Sequence, residues 1–163
     1  MKKGPIVDYE KIAEKARMRQ DAATLPQVRR NQLEANAKAF FQRVSAHMEE
    51  EMKKANVALC KRKVDTIARN RLPNFEDAVF LTIGTEALCR VELDLKTRIP
   101  RIAAVLIGPP HRAEIARRVY MLAMDAAGKE MSNTGGAGWP TLGASSKEIA
   151  QQIIAGVVSG RFE

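Results

Sequence analysis

Four cationic side chains recur on one face of a long predicted helix, and they are the side chains of this sequence best suited to binding chemistry. Placed at about 100° per residue, Arg29, Arg43, Lys54 and Lys61 fall within about 40° of one another. At about 1.5 Å of rise per residue, the row extends for about 48 Å. Lys and Arg arranged in this way can follow a phosphate backbone and displace its counterions. The row therefore predicts contact with nucleic acid.

The basic character continues beyond the end of this helix. The additional cations are Arg62, Lys63, Arg69 and Arg71. The alternative is a solvated helix face of mixed charge, and the acidic triplet at 49–51 favours it because carboxylates repel phosphate in the middle of the row. No aromatic side chain lies among the cations, so the pattern does not indicate stacking on exposed bases.

A second candidate is an anion site at His111 and Arg112, which open a predicted helix. Backbone N–H groups point outward at a helix N-terminus and favour a phosphate or carboxylate there. The alternative is an ordinary capped helix end at the surface.

The glycine-rich stretch 132–140 resembles a nucleotide loop only superficially. Gly138 and Gly143 have the spacing of the first two glycines of a phosphate-binding loop. However, Ala144 stands where that loop requires Lys, and no apolar strand precedes it, so we reject this interpretation. The stretch is predicted to be a connection pinned by Trp139. The alternative is a binding lid on which Trp139 anchors a partner.

The sequence predicts no metal, cofactor or catalytic site. His47 and His111 are the two histidines, and neither lies at ligand spacing from a cysteine or from the other. Cys60 and Cys89 are predicted to be free thiols in a reducing cytoplasm. The N-terminus lacks the apolar core of a secretion signal, and no apolar run approaches the roughly 18 residues of a membrane span. We therefore expect a non-enzymatic cytoplasmic protein.

Two helices are predicted in the first 62 residues. The first covers residues 7–22, and Thr24 with Gln27 forms a capping box that starts the second, which runs to about Arg62. The second helix carries a continuous apolar stripe. Because it would be longer than a domain of this size is wide, we predict an oligomer interface at the largest side chains of the stripe: Phe40, Phe41, Met48 and Met52. The alternative is burial of that stripe against the chain's own sheet, and we favour a mixture in which one part of the helix covers the sheet and another part pairs.

From residue 78 onward the apolar period changes from the helical spacing to two. Strands are predicted at 78–83, 89–95 and 102–107, with polar and apolar residues alternating most clearly in the second. Residues 63–70 fit either a helix tail or a further strand. Helices are predicted at about 110–127 and 146–158, the second with a capping box that starts at Ser145.

This order of elements predicts the α+β class. Its parts are long N-terminal helices, an antiparallel meander of three or four strands, and two helices packed on one sheet face. Residues 1–72 hold 17 of the 27 Lys and Arg but only 9 of the 19 Asp and Glu, so they carry the whole excess charge of +8. We therefore divide the chain into a basic helical arm, residues 1–72, and a charge-neutral α+β body, residues 73–163.

The charge distribution and the long helix together lead to one functional hypothesis. It is a non-enzymatic interaction protein that oligomerises through its long helix and binds nucleic acid through its basic N-terminal region. The first alternative is an adaptor or assembly subunit whose basic arm meets an acidic protein. The second is a small anionic ligand held near His111 under the glycine-rich stretch. No membrane partner is expected.

Overall fold

The computed structural model divides the chain into two units, Met1–Gln32 and Leu33–Glu163. The boundary lies at residue 32, so residues 33–70 group with the sheet rather than with an arm that ends at residue 72. The structure describes residues 6–70, 77–84, 87–108, 113–124, 131–135 and 143–162.

One helix, α1, occupies the region where two were predicted. It spans Tyr9–Lys61 without a break and contains Pro26. The prediction of a helix start at Thr24 is wrong, because its hydroxyl donates to the carbonyl oxygen of Asp21 (3.1 Å) as in a helix interior. Proline removes one helical hydrogen bond, but the neighbouring Ala, Leu and Gln residues favour the helix on both sides. Within the described ranges, no helix is long and apolar enough to cross a bilayer.

In the part of the chain that the structure describes, six strands form one antiparallel sheet in which each strand pairs with the next in sequence. The strands are β1 (Ile67–Asn70), β2 (Ala78–Ile83), β3 (Ala87–Asp94), β4 (Arg101–Gly108), β5 (Ala113–Met124) and β6 (Met131–Gly135). The predicted α+β class and meander are confirmed, with more strands than the three or four expected. Residues 67–70, for which the sequence favoured neither a helix tail nor a strand, form the edge strand β1.

The predicted helix at about 110–127 is wrong, because its central part is the strand β5. The spacing of Ile115, Val119 and Leu122 fits a helix, yet Ile115 is 58% exposed. Arg118, Tyr120 and Leu122 are buried with a period of two. Tyr120 lies opposite Ile102 of β4, and this cross-strand pairing overrides the weak helical spacing.

The core lies against one face of the sheet and contains side chains of α1 and of a second helix, α2 (Ser146–Ser159). The predicted helix 146–158 and its cap are confirmed, since the Ser145 hydroxyl accepts from the backbone N–H of Glu148 (3.2 Å). The sheet contributes alternating residues such as Cys89 and Val91. Burial raises the pKa of the Cys89 thiol to about 12.

The four residues predicted to form an oligomer interface lie in this same core. Phe40, Phe41, Met48 and Met52 are each no more than 8% exposed, and all belong to the core cluster that includes the sheet. Burial against the chain's own sheet, which was the alternative prediction, is therefore the arrangement that the structure shows for these four residues. Little of their surface remains for a second copy of the chain.

The opposite face of the sheet carries charged side chains on β3, β4 and β5. The Arg101 guanidinium donates to the Asp94 carboxylate (3.0 Å), and Arg117 makes two hydrogen bonds to Glu114 (2.7 and 3.1 Å). The hydrogen bond from Arg117 lowers the pKa of the Glu114 carboxyl. The Arg101–Asp94 ion pair joins neighbouring strands, since the two residues lie opposite each other in β4 and β3, whereas the Arg117–Glu114 pair lies within β5.

Candidate nucleic-acid interface

Most of the cations predicted to bind nucleic acid are exposed. In the C-terminal unit the exposed ones are Arg43, Lys54, Lys61, Arg62 and Lys63. Arg29 is also exposed but belongs to the N-terminal unit. Arg71 lies outside the described residues. The apolar stripe of α1 faces the core while the cationic face is in solvent, as the helical spacing of the two sets predicted.

Arg69 differs from the other predicted cations because its side chain is half-buried against α1. Its guanidinium contacts the Glu49 carboxylate and donates to the Ser45 hydroxyl (2.9 Å). These contacts attach the edge strand β1 to the helix. Arg69 therefore serves this packing and does not add to the exposed cationic surface.

Asn56 makes a second attachment between α1 and β1, which the sequence did not reveal. Its amide nitrogen donates to the carbonyl oxygen of Ile67 (3.0 Å), and its amide oxygen accepts from the Ile67 N–H (2.7 Å). The Asn56 side chain thus forms hydrogen bonds with both the N–H and the carbonyl oxygen of Ile67, a residue of the edge strand. Such groups otherwise offer a template for pairing with another chain.

Asn56→Ala is expected to lower the free energy of unfolding by about 1–3 kcal/mol, because it leaves a part-buried donor and acceptor of Ile67 without their partner. Urea denaturation followed by circular dichroism measures the change. Gln42→Ala, an exposed substitution on the same helix, is the matched control and should change the value by less than about 0.5 kcal/mol. Equal effects of the two substitutions would contradict the role of Asn56.

The acidic triplet that disfavoured phosphate binding is engaged with basic groups of this same unit. Glu49 contacts Arg69, and one Glu51 oxygen accepts from the Lys54 ammonium (3.1 Å). A Glu50 oxygen lies 3.5 Å from Nδ1 of His47. The local ion pairs weaken the repulsion that these carboxylates would exert on a phosphate.

Five exposed cations surround the end of α1, and we call them the α1 terminal cluster. They are Lys53, Lys54, Lys61, Arg62 and Lys63. The helix ends in a tight turn in which Lys63 has a positive φ of 57° and donates its N–H to the Cys60 carbonyl oxygen (3.1 Å). Cations at this position also interact favourably with the helix dipole, which gives the cluster a structural advantage as well.

An apolar groove of about 700 Å³ lies beside the α1 terminal cluster. Its lining residues are Lys53, Asn56, Val57, Cys60, Lys61 and Thr66. Val57 is 58% exposed there, and the Cys60 thiol is exposed. The groove therefore has an apolar surface beside two lysines of the cluster, Lys53 and Lys61.

No family model, curated protein or solved structure matches this chain. What the chain does must therefore be inferred from its own residues. In the part of the chain that the structure describes, no group of three or more His, Cys, Asp or Glu side chains could hold a metal ion. His111, Arg112 and Trp139, the predicted anion site and partner anchor, lie outside the described residues.

The chemistry available at the α1 terminal cluster is electrostatic attraction of anions. Lysine ammonium groups act as mobile point charges, while Arg62 can make two parallel hydrogen bonds to a phosphate. The described cluster contains no aromatic side chain that could stack on a base. Such a surface favours a phosphate backbone over particular base sequences.

Proposed function

We propose that this chain is a non-enzymatic interaction protein that binds the phosphate backbone of nucleic acid through the α1 terminal cluster. The observation that supports it is the concentration of five exposed cations within residues 53–63. Of these five, Lys54 has an ion pair within the described part of the chain, and Glu51 is its partner. Arg43 lies on the same face of α1 as Lys54 and Lys61 and extends the proposed surface.

Binding would be driven mainly by the release of counterions from the nucleic acid. Lys54 and Lys61 are seven residues apart, which is about two helical turns or 10.5 Å, so they lie on the same helix face. Each phosphate contact releases cations and makes the affinity fall as salt rises. We expect little preference for sequence, because backbone contacts position a protein without reading bases.

A salt titration of the intact chain tests this proposal. Fluorescence anisotropy with a labelled mixed-sequence DNA duplex is expected to show binding at low salt. The plot of log affinity against log salt should have a slope between about −2.7 and −4.5, as three to five phosphate contacts require. Absence of binding even at about 20 mM salt would contradict the proposal, and so would binding that does not depend on salt.

Binding of an acidic protein segment is a second candidate function, and the groove beside the cluster favours it. Apolar side chains of such a segment could contact Val57 while its carboxylates pair with Lys53 and Lys61. An unstructured peptide of alternating Glu and Leu, used as competitor in the same titration, separates the candidates. If Val57→Asp weakens binding of the peptide but leaves binding of DNA unchanged, the result would favour the protein partner.

The proposal retains self-association through the long helix but assigns it to different residues. In the N-terminal unit α1 exposes large apolar side chains, which include Tyr9, Ile12, Met18, Leu25 and Val28. A helix that exposes several large apolar side chains is a candidate surface for contact with another protein or a second copy. Phe40 and Met48 lie in the core and therefore take no part in this proposal.

A further inference from the structure

The first residues that the structure describes combine exposed apolar side chains with negative charge, and we call residues 6–14 the acidic N-terminal segment. Four of its large apolar side chains are each at least 50% exposed: Ile6, Val7, Tyr9 and Ile12. The segment also holds three carboxylates and one lysine, a net charge of −2 in a chain whose overall charge is +8. An apolar surface of this kind in solvent is a candidate for contact with another molecule.

The first turns of α1 place two of these apolar side chains on one face of the helix. Tyr9 and Ile12 are three residues apart, which is about 60° around the helix axis. Glu10 is exposed about 100° from Tyr9, so a carboxylate lies beside the apolar face. The Asp8 carboxylate accepts from the backbone N–H of Lys11 (3.2 Å) and caps the helix start. A capped helix with apolar side chains at this spacing is suited to binding in a groove.

The groove beside the α1 terminal cluster has the complementary chemistry. Val57 and Cys60 are exposed there, three residues apart on α1. Lys53 and Lys61 also line the groove, whereas none of its described lining residues is acidic. The volume of about 700 Å³ is in the range of pockets that hold a drug-sized ligand, which is room for a few side chains.

We propose that the acidic N-terminal segment of one copy docks into this groove of a second copy. Tyr9 and Ile12 contact the apolar lining, and the carboxylates of the segment approach Lys53 and Lys61. The charge match selects this occupant, because residues 15–32 hold five basic residues and one acidic residue and would be repelled by the two lysines. The contact rests on the self-association proposed above and names the two surfaces that meet.

The contact joins two different surfaces, and every copy of the chain has one of each. Such head-to-tail contacts build rings or open chains of copies, whereas a contact between identical surfaces closes a twofold dimer. The alternative is that the N-terminal units of two copies pair with each other through their exposed apolar residues. That contact would not involve the groove, so the two arrangements respond differently to substitutions.

Two single substitutions, each made at an exposed position, test the proposal. Ile12→Asp places a charge on the inserted face, and Val57→Asp places one in the groove. Sedimentation equilibrium without DNA, at up to about 1 mM chain, covers the weak affinity of a contact this small. The wild type is expected to form species larger than a dimer. Each variant alone should associate at least about tenfold more weakly.

An equimolar mixture of the two variants distinguishes the head-to-tail contact from its alternative. The intact groove of the Ile12→Asp chain can accept the intact segment of the Val57→Asp chain, so the mixture should form a one-to-one complex and nothing larger. If Val57→Asp alone associates as the wild type does, the groove is not involved and the proposal is overturned. A wild type that stays monomeric overturns it as well, and so does a mixture that associates no more than the separate variants.

Val158→Asp is the matched control, because it replaces an exposed valine elsewhere in the same C-terminal unit. It should leave the association unchanged, and a loss equal to that of Val57→Asp would overturn the assignment to the groove. DNA binding is measured separately on Ile12→Asp, which keeps every cation of the α1 terminal cluster. Failure of the head-to-tail contact is therefore distinguishable from failure of the proposed nucleic-acid binding.

Discussion

Phe40→Ala is expected to lower the free energy of unfolding by about 3–5 kcal/mol. The Phe40 ring is 2% exposed and belongs to the core that joins α1 to the sheet. Truncation removes the apolar contacts of the ring and leaves a cavity that the surrounding side chains fill only in part. Urea denaturation followed by circular dichroism measures the loss, with Gln42→Ala as the exposed control on the same helix.

The same experiment distinguishes the core from an oligomer interface at Phe40. If Phe40 stabilises its own chain, the loss should be the same at protein concentrations tenfold apart. If the ring instead joined two copies, the wild-type midpoint would rise with concentration and the variant would lose that dependence. The second result would restore the interface that the helix length first predicted at Phe40, Phe41, Met48 and Met52.

The parts of the fold that the sequence predicted well are those in which local pattern and tertiary environment agree. In β3, Cys89, Val91 and Leu93 are buried and the residues between them are more exposed, as their alternation indicated. The capping box at Ser145 marked the start of α2 to the residue. In both cases local hydrogen bonding or side-chain period determines the same structure that packing stabilises.

β5 could not be predicted in this way because its local signals conflict. Val119 and Leu122 fit a helical period, and the prolines at 109–110 with Gly128 resembled helix boundaries. The pairing with β4 is a long-range interaction that no short window contains. Once the segment is known to be a strand, Arg118 falls on the same face as Tyr120, which is the signal that sequence reasoning missed.

The exposed cations were predictable, but the contacts that remove cations from the surface were not. The helical period placed Lys54 and Lys61 away from the apolar stripe, and both are exposed. Arg69 was grouped with them because it follows in the sequence. Its partner Glu49 lies 20 residues away on another element, so only the folded chain brings the two together. Charge counts predict a basic region, whereas ion pairs decide which of its residues remain available.

Reversal of three cations in the α1 terminal cluster is expected to have the largest effect on the proposed function. The triple substitution Lys61→Glu, Arg62→Glu and Lys63→Glu should weaken binding to a mixed-sequence duplex by about 100-fold or more at about 50 mM salt. It removes three phosphate contacts and introduces three repulsive charges. The slope of log affinity against log salt should also become less negative by about 2.7.

The matched control places the same change of net charge elsewhere in the C-terminal unit. Lys96, Arg98 and Lys147 are exposed, and their reversal to Glu also changes the charge by six. If position matters, the control should lose far less affinity than the cluster variant and keep the slope. If both triple variants weaken binding equally, the attraction reflects the overall charge of the protein and the α1 terminal cluster is not the binding surface. Circular dichroism of each variant excludes loss of the fold as the cause, since Lys61→Glu also removes a favourable charge from the helix end.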